Sequence, residues 1–340
     1  MPIGLARCGA DGHYYAWFRS LQALQVVVLV ILFVRMLRID GSADRAALPV
    51  ALAVLVGLHT FAGTVSEGFP INTFLTILLC CTAAATLGQA RPRVVNDVAA
   101  VALLAFAMLT VETGLLVWVI FVVGYVVGDR GLSRGGLVAV TACFAGYFVL
   151  RFGVAAGTAP GLDERSSGFG FSTYSPAQLG QMFESPLWFY AYNVVSAMCC
   201  VLFGEPRGGV WRFVEGLTTG HVEPWRLVSV VTSTGTSILI ARYALQRFTR
   251  WKRGEIDAPD RLVILFLALL PANALFTYAY LKDVILSPVG VFYAGAAYVA
   301  FRSTATELGT ARIEIAPGAR WRGWGRRVVL SIAVFVLACG

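Results

Sequence analysis

The chain has 340 residues, of which 58% are hydrophobic and only 14% are charged, and it carries a formal net charge of +8. A soluble protein carries roughly 25% charged residues, so this composition excludes an ordinary soluble domain and indicates a protein that lies in a lipid bilayer. The positive charge does not indicate nucleic-acid binding, because the arginines lie in short loops between apolar runs, as in the cytoplasmic loops of membrane proteins.

The cysteines and histidines predict neither a disulfide framework nor a metal site. Six of the seven cysteines lie within apolar runs, and the three histidines are scattered along the chain. The sequence therefore indicates no metal, and it leaves the cofactor open.

The amino-terminal part of the chain, residues 1–155, is predicted to be a membrane module of six spans. A polar and aromatic stretch, 1–20, comes first. Six apolar runs follow, and each approaches the roughly 17–25 residues that a transmembrane helix needs. The runs are 20–38, 46–65, 70–88, 95–112, 113–128 and 135–155. The fourth and fifth runs must turn at residues 112–114, because no loop separates them.

The loops between these runs alternate in charge, and the alternation predicts their sides. The first, third and fifth loops carry arginines, whereas the second loop (65–69) and the fourth (112–114) carry neither lysine nor arginine. Cytoplasmic loops are enriched in Lys and Arg. We therefore expect the odd-numbered loops to lie in the cytoplasm, and the other two, together with residues 1–20, to lie outside.

The remaining chain is predicted to form an outward-facing cap, residues 156–225, and a carboxy-terminal set of helices, residues 226–340. The cap contains an apolar run, 186–203. If that run crossed the membrane, the basic cluster at 250–253 would fall outside. We therefore interpret it as a re-entrant or interfacial helix, with a missed crossing elsewhere as the alternative. Three further spans follow, at 226–247, 261–281 and 284–303.

The sequence thus predicts an all-α, polytopic transmembrane helical bundle of about nine to eleven apolar helices, in the lipid bilayer of a bacterial inner membrane. Both chain ends are expected to be cut, because the last residues stop inside an apolar run and no span precedes the outer residues 1–20. Within the bundle, a small-residue face at 232–237 should pack closely against another helix. Asn273 should donate a hydrogen bond across to a neighbouring helix.

Charged residues on the outer face are the candidates for chemistry. Glu67 lies in a polar elbow, 58–72, between two apolar runs, and Glu112 lies at the next outer turn. A carboxylate at the end of a span is costly unless it faces water or a polar cavity. Each glutamate therefore either points into a cavity, where it could serve as a general acid or base, or is a solvated turn residue. Asp11 is either a member of this group or a solvated tail residue.

Basic outer residues could hold a phosphate, because arginine and lysine donate charge-assisted hydrogen bonds to it. Arg151 lies near the outer end of an apolar run, where the alternative is that it snorkels to the interface. Arg207 lies in a glycine-rich turn, where the alternative is a local pair with Glu205. Lys282 joins two spans in a hairpin, where the alternative is an ion pair with Asp283.

Three stretches of this chain resemble the GT-C type membrane glycosyltransferases, which use polyprenyl-phosphate sugars. The stretches are the outer elbow Glu67-Gly68-Phe69-Pro70, the run Thr-Val-Glu-Thr-Gly-Leu-Leu at 110–116, and Tyr174-Ser175-Pro176 in the long outer loop. The family carries its catalytic Asp in the first outer loop, after an initial span. Asp11 is the only Asp in the matching place, and this chain shows no such span before it.

The resemblance implies roles for the outer residues. Asp11 would be the general base, and two glutamates would shape the acceptor or sugar site. Arg151 or Arg207 would neutralise the lipid phosphate as it leaves. The implied catalytic group is Asp11, Glu67 and Glu112, and the implied substrate-binding group is Arg151, Tyr174, Arg207 and Lys282.

The first functional hypothesis is therefore a membrane enzyme that transfers a sugar from a polyprenyl-phosphate-linked donor at the extracytoplasmic face, by inversion with a carboxylate base. The alternatives are a non-enzymatic polysaccharide or lipid export component and a structural membrane subunit whose cap binds a partner. An export path needs polar groups at mid-membrane, which only 232–237 and Asn273 offer. A partner-binding subunit should expose aromatic residues on 169–192.

Overall fold

The computed structural model of the protein describes residues 13–39, 41–57, 72–154, 167–169, 172–174, 176–183, 186–203, 209–281 and 283–310. Almost all of these residues are helical, which confirms the predicted helical class. The helices are α1 (His13–Leu37), α2 (Ser42–Gly57), α3 (Asn72–Gly88), α4 (Val94–Thr110), α5 (Leu116–Val126), α6 (Arg134–Phe148), α7 (Pro176–Phe183), α8 (Pro186–Phe203), α9 (Gly209–Thr219), α10 (Pro224–Lys252), α11 (Ala258–Phe276) and α12 (Asp283–Thr310). A 3₁₀ helix, Glu112–Leu115, precedes α5, and a π-helical segment, Val149–Val154, continues α6.

Apolar helices of two lengths make up the bundle. Within the described ranges, 4 helices are long and apolar enough to cross a membrane, namely Ala16–Leu37, Arg226–Lys252, Ala258–Phe276 and Ile285–Glu307. Shorter apolar helices of 10–17 residues are Ala47–Gly57, Thr73–Gly88, Val94–Thr110, Glu112–Val126 and Leu187–Phe203. The shorter ones fall below the roughly 20 residues of a typical span.

Helix α12 is the central element of the core. Its most apolar window is 89% buried, whereas the corresponding windows of α1 and α10 are 28% and 22% buried. The side chains from Val289 to Ala300 are almost all inaccessible, and they pack against α2, α3, α10 and α11. The outer helix α1 packs mainly against α3, and α10 packs against α12, so each buries one face and leaves an apolar face exposed.

Four aspartates tie pairs of helices together at one end of the bundle. Each aspartate lies near a helix end. Three of them bind a side chain of another helix, and Asp97 binds Ser133, the residue that caps the start of α6. The pairs are Asp44 with Arg302 Nε (2.6 Å), Asp129 with Arg261 Nη1 (2.8 Å), Asp260 with the hydroxyl of Tyr243 (2.6 Å) and Asp97 with the hydroxyl of Ser133 (2.7 Å). Burial raises the pKa of the Asp129 carboxyl, and the hydrogen bond from Arg261 opposes that shift.

This end also gathers most of the basic residues, and we call it the basic end (residues 35–45, 88–97, 125–136, 242–261 and 302–307). Hydrogen bonds link its loops directly: Arg38 donates to the carbonyl of Gln89 (2.6 Å), and the amide of Gly131 donates to the carbonyl of Gly88 (2.7 Å). The arginine-bearing loops that the sequence places on one side of the membrane therefore lie at one end of the bundle, together with the cluster at 250–253.

The opposite end (residues 110–116, 149–154, 219–224 and 276–281) is built differently. Three short strands meet there in the order β2–β1–β3, with β1 at Ser167–Phe169, β2 at Ser172–Tyr174 and β3 at Tyr280–Leu281. Strand β1 pairs antiparallel with β2 and parallel with β3. The sequence does not predict these strands, which tie the long loop to the turn between α11 and α12.

Helix α8 enters the bundle from the opposite end and stops inside it. Near its middle, the side-chain amide of Asn193 donates to the carbonyl of Tyr278 (3.0 Å), which follows α11 at the opposite end. At its end, the carbonyl of Leu202 accepts a hydrogen bond from Ser237, in the middle of α10. Ser237 precedes Tyr243 by six residues, which is about 9 Å along α10 at 1.5 Å per residue. The hydroxyl of Tyr243 binds Asp260 at the basic end. Helix α8 therefore stops about 9 Å short of the level of the Tyr243–Asp260 contact. The chain then continues through α9 to the start of α10 at the opposite end.

The two predictions about polar groups inside the helices are confirmed. Ser237, from the small-residue face, bonds α8 through Leu202 and lies 3.1 Å from the hydroxyl of Tyr293 on α12. Asn273 on α11 donates to the carbonyl of Ile285 on α12 (3.1 Å). Such bonds hold apolar helices together where packing alone has little driving force.

Glycine at position 131 is expected to be essential for the close contact between the loops of the basic end. A Cβ atom there would lie 2.0 Å from the carbonyl oxygen of Leu87. Gly131→Ala should therefore lower the free energy of unfolding by about 1–3 kcal/mol, the usual cost of overpacking. The measurement is thermal unfolding of the purified protein in detergent.

Gly146→Ala is the matched control, because a Cβ at this position in α6 meets nothing within 4 Å. Alanine in a helix interior is favoured over glycine by roughly 0.5–1 kcal/mol, so this variant should keep or raise the melting temperature. Equal melting temperatures for the two variants would contradict the close contact at Gly131.

Candidate functional site

An ion pair between Glu112 and Arg151 is the centre of the candidate site at the opposite end. The carboxylate oxygen Oε1 of Glu112 lies 2.6 Å from Nη2 of Arg151, and the two side chains are 35% and 26% exposed. Both residues were predicted for the site, one in the catalytic group and the other in the substrate-binding group. The structure brings them into direct contact.

A tight turn positions Glu112. Helix α4 ends at Thr110, and the extended residue Val111 leads into the 3₁₀ helix, where the amide of Gly114 donates to the carbonyl of Val111 (2.8 Å). A Cβ at Gly114 would lie 2.2 Å from the carbonyl oxygen of Ala107. Only glycine fits this approach, so the turn predicted at 112–114 holds Glu112 against the end of α4.

A change of helix type positions Arg151. The α-helical hydrogen bonds of α6 end at Phe148, and Arg151 lies in the π-helical segment that follows. Segments of this type add a residue to a turn and are frequent at functional sites. The neighbouring Val149, Leu150 and Val154 are 66%, 61% and 76% exposed. Arg151 is therefore a charged group among exposed apolar side chains, where Glu112 compensates its charge.

The pair leaves donors for a ligand. A guanidinium group carries five N–H donors, and within the described chain the contact of Arg151 is with Glu112. An oxyanion could therefore bind Arg151 without displacing the glutamate. Glu112 in turn fixes the orientation of the guanidinium and presents a carboxylate that can accept a hydrogen bond from a hydroxyl group.

The other predicted site residues are not brought together with this pair in what the structure describes. Asp11, Glu67, Arg207 and Lys282 lie outside the described residues. Tyr174 lies in β2, where it pairs with Ser167 in the small sheet of the opposite end, and its side chain is outside the description. For these five residues the assignment to a site stays a prediction.

Sequence reasoning missed a second polar site, at the basic end. A cavity of about 270 Å³ lies there, lined by Arg38, Asp129, Arg261, Arg302 and neighbouring residues. The sequence signal for this site was a pair of aspartates, Asp44 and Asp129, each of which adjoins an arginine in a basic loop.

Among the described residues, no group of three His, Cys, Asp or Glu side chains is placed to hold a metal ion. The fold and its two polar ends define a helical protein with helices that could cross a membrane. No protein-family model, no curated protein and no solved structure matches the chain.

The Glu112–Arg151 contact is expected to contribute a measurable coupling energy. Glu112→Gln and Arg151→Gln should each lower the unfolding free energy, and the double variant should lose less than the sum of the two. For a partly exposed pair we expect a coupling of up to about 1 kcal/mol, measured as a double-mutant cycle in detergent.

Arg226→Gln combined with Glu112→Gln is the control cycle, because Arg226 pairs locally with Glu223 (2.9 Å). Distant sites are additive within about 0.3–0.5 kcal/mol, so this cycle should show no coupling beyond that. An equal coupling in both cycles would mean that the Glu112–Arg151 contact is not specific.

Proposed function

We propose that the chain is a polytopic protein of a bacterial inner membrane, with its basic end in the cytoplasm and its opposite end outside. The distribution of charge supports this orientation. Arginines gather in the loops of the basic end together with Lys252, and cytoplasmic loops carry such an excess of basic residues. At the opposite end, Arg151 and Arg226 are each paired with a glutamate.

In this orientation α8 and α9 are a re-entrant hairpin of the outward-facing cap, 156–225. The contacts of Asn193 and Leu202 support this arrangement, because the middle of α8 binds the turn after α11 and its last turn binds the middle of α10. A backbone that ends at membrane depth is tolerated where it is buried in protein. The carbonyl of Leu202 meets that condition, since Ser237 donates a hydrogen bond to it.

Labelling of single introduced cysteines tests this topology in intact cells. His221→Cys lies at the turn before α10, and Lys252→Cys and Arg91→Cys lie at the basic end; all three wild-type residues are exposed. A membrane-impermeant maleimide should label His221→Cys before cell lysis and the other two only after lysis. The wild-type chain, whose described cysteines lie in apolar helices, controls for background.

Labelling of Lys252→Cys, but not Arg91→Cys, in intact cells would contradict the re-entrant arrangement, because the two residues would then face different sides. Labelling of both before lysis would reverse the proposed orientation.

We further propose that the protein is an enzyme of the GT-C type, which transfers a sugar from a polyprenyl-phosphate donor at the outer end. The observation that carries this proposal is the Glu112–Arg151 pair. A lipid phosphate approaches such a site through the bilayer, and Arg151 is surrounded by exposed apolar side chains that lipid can reach. A guanidinium fork suits a phosphate better than the point charge of a lysine does.

In the reaction, the oxygen of an acceptor hydroxyl attacks the anomeric carbon, and the bond from that carbon to the phosphate oxygen breaks. The hydroxyl proton passes to a carboxylate, for which Asp11 is the proposed base, and polyprenyl phosphate leaves. Arg151 stabilises the negative charge that develops on the leaving phosphate. Glu112 holds Arg151 and can bind a sugar hydroxyl, while Glu67, the cap residues Tyr174 and Arg207, and Lys282 of the hairpin before α12 complete the pocket in this proposal.

The hydrogen bonds inside the helices weigh against an export path. Such a path needs polar groups that line a route through the middle of the bundle. The sequence offers 232–237 and Asn273 there, and two of these residues, Ser237 and Asn273, donate to carbonyls of neighbouring helices. These two donors are therefore engaged in holding helices together, while the Oδ1 acceptor of Asn273 is buried without a described partner.

A partner-binding subunit is the second candidate function, because one observation favours it. The first turns of α8 expose Leu187 (74%), Trp188 (71%) and Tyr192 (44%). Aromatic residues at this position suit a protein interface, and they equally suit the aromatic belt at the edge of a bilayer. Replacement of Trp188 by alanine should leave donor binding intact if the enzyme proposal is right.

Binding of decaprenyl phosphate to the full chain in nanodiscs tests the enzyme proposal. Arg151→Gln should weaken binding about tenfold, because a hydrogen bond to a charged group contributes about 1.5–3 kcal/mol. Arg226→Gln is the matched control and should bind like the wild type. Decaprenol, which lacks the phosphate, should bind weakly to all three. Equal binding of phosphate and alcohol, or an unchanged affinity in Arg151→Gln, would contradict the proposal.

A further inference from the structure

The cavity at the basic end collects guanidinium groups from three separate parts of the chain. Arg38 follows α1, Arg261 lies in the first turn of α11, and Arg302 lies in the last third of α12. All three line a space of about 270 Å³, together with Gln89, Asp129 and Tyr298. This volume is near the lower end of small-molecule sites, roughly 300 Å³.

The cavity wall carries an excess of positive charge. Asp129 binds Arg261, and Asp44, behind the wall, binds Arg302. Arg38 makes no ion pair with any described residue, and its guanidinium donates to the carbonyl of Gln89. Two of the three arginines are therefore compensated by a carboxylate, and the third contributes a net positive charge to the wall.

A donor in this wall has no acceptor. The Nε atom of Arg261 is buried and has no hydrogen-bond partner within the described part of the chain. A buried donor without a partner is costly, and native structures keep few of them. The Nη1 atom of the same guanidinium binds Asp129 (2.8 Å), so within the described residues the hydrogen-bonding capacity of Arg261 in the cavity wall is only partly used.

The backbone at Arg38 is a further sign of a selected site. Its φ angle is +50°, in the left-handed region, where helices usually end with glycine. An arginine in this conformation is less stable than a glycine would be, because its Cβ crowds the carbonyl oxygen. Non-glycine residues held in this region are concentrated at binding and catalytic sites. Here the conformation brings a guanidinium to the wall of the cavity.

We propose that the cavity at the basic end binds a phosphate-bearing anion, with Arg38 as its principal ligand. Arginine forks match the oxygens of a phosphate group, and basic pockets between helices at the cytoplasmic boundary bind phospholipid headgroups. The phosphate belongs either to an anionic phospholipid or to a water-soluble phosphate ester, since both present the same oxygens. This site is separate from the sugar-transfer site proposed for the other end.

Thermal unfolding of the full chain in detergent, titrated with three probes, tests the proposal. The probes are phosphatidylglycerol, glycerol 3-phosphate and diacylglycerol, which lacks the phosphate. At least one phosphate probe should raise the melting temperature of the wild type above the effect of diacylglycerol. Stabilisation by phosphatidylglycerol alone identifies a lipid headgroup, and stabilisation by glycerol 3-phosphate identifies a soluble ester.

The decisive variant is Arg38→Gly, because glycine accepts the left-handed backbone at this position and so removes the guanidinium without straining the fold. It should raise the half-saturating concentration of the active probe at least about fivefold, as expected when a charge-assisted bond to phosphate is lost. Arg253→Gln removes one charge from an exposed arginine at the same end. This control should change the half-saturating concentration less than about twofold, as screened surface charges do.

Two results would overturn the proposal. One is that neither phosphate probe stabilises the wild type more than diacylglycerol does. The other is that Arg38→Gly loses no more affinity than Arg253→Gln. Arg151→Gln should keep full binding in this assay, so failure of the site at the outer end and failure of this one are distinguishable.

Discussion

A carboxylate that is buried at the end of a helix needs a hydrogen-bond or ion-pair partner, and this constraint organises the bundle. Asp44 and Asp129 are 2% and 4% exposed, and Asp260 is fully buried. Removal of one partner from such a pair is strongly destabilising, because the remaining charge stays buried. Each aspartate therefore holds two helix ends at a fixed distance, and together they set the register of α2, α5, α10, α11 and α12 around the core.

Within the part of the chain that the structure describes, buried carboxylates hold the basic end in this way and not the opposite end. The basic end has buried ion pairs and direct hydrogen bonds between its loops. The other end has a half-exposed pair on a 3₁₀ turn and a π-helical segment, with a small sheet beside it. A rigid basic end and a more accessible opposite end suit a binding protein. A ligand site needs surrounding elements that packing and hydrogen bonds hold in place.

Local patterns in the sequence predicted the helices well, because apolar length and glycine turns are local properties. The turn at 112–114 and the cross-helix bond of Asn273 are examples. The small sheet was not predicted, since its strands have only two or three residues and β3 lies more than a hundred residues from β1 and β2. The Asp129–Arg261 pair was not predicted either, because its partners are separated by 132 residues. Glu112 and Arg151 were placed on one face by charge, but their contact depends on the packing of α4 against α6.

The depth of the Glu112–Arg151 pair follows from helix lengths. Helix α4 has 17 residues, which at 1.5 Å per residue span about 25 Å, whereas the hydrocarbon core of a bilayer is about 30 Å thick. If the bundle crosses a bilayer as proposed, the turn after α4 lies several ångströms below the outer boundary or thins the membrane locally. Neither charge would be stable there alone, which explains why the two occur as a pair. If the membrane thins to match the short α4, the phosphates of the headgroup region come down toward Arg151, so the length of α4 favours contact between the guanidinium and a lipid phosphate.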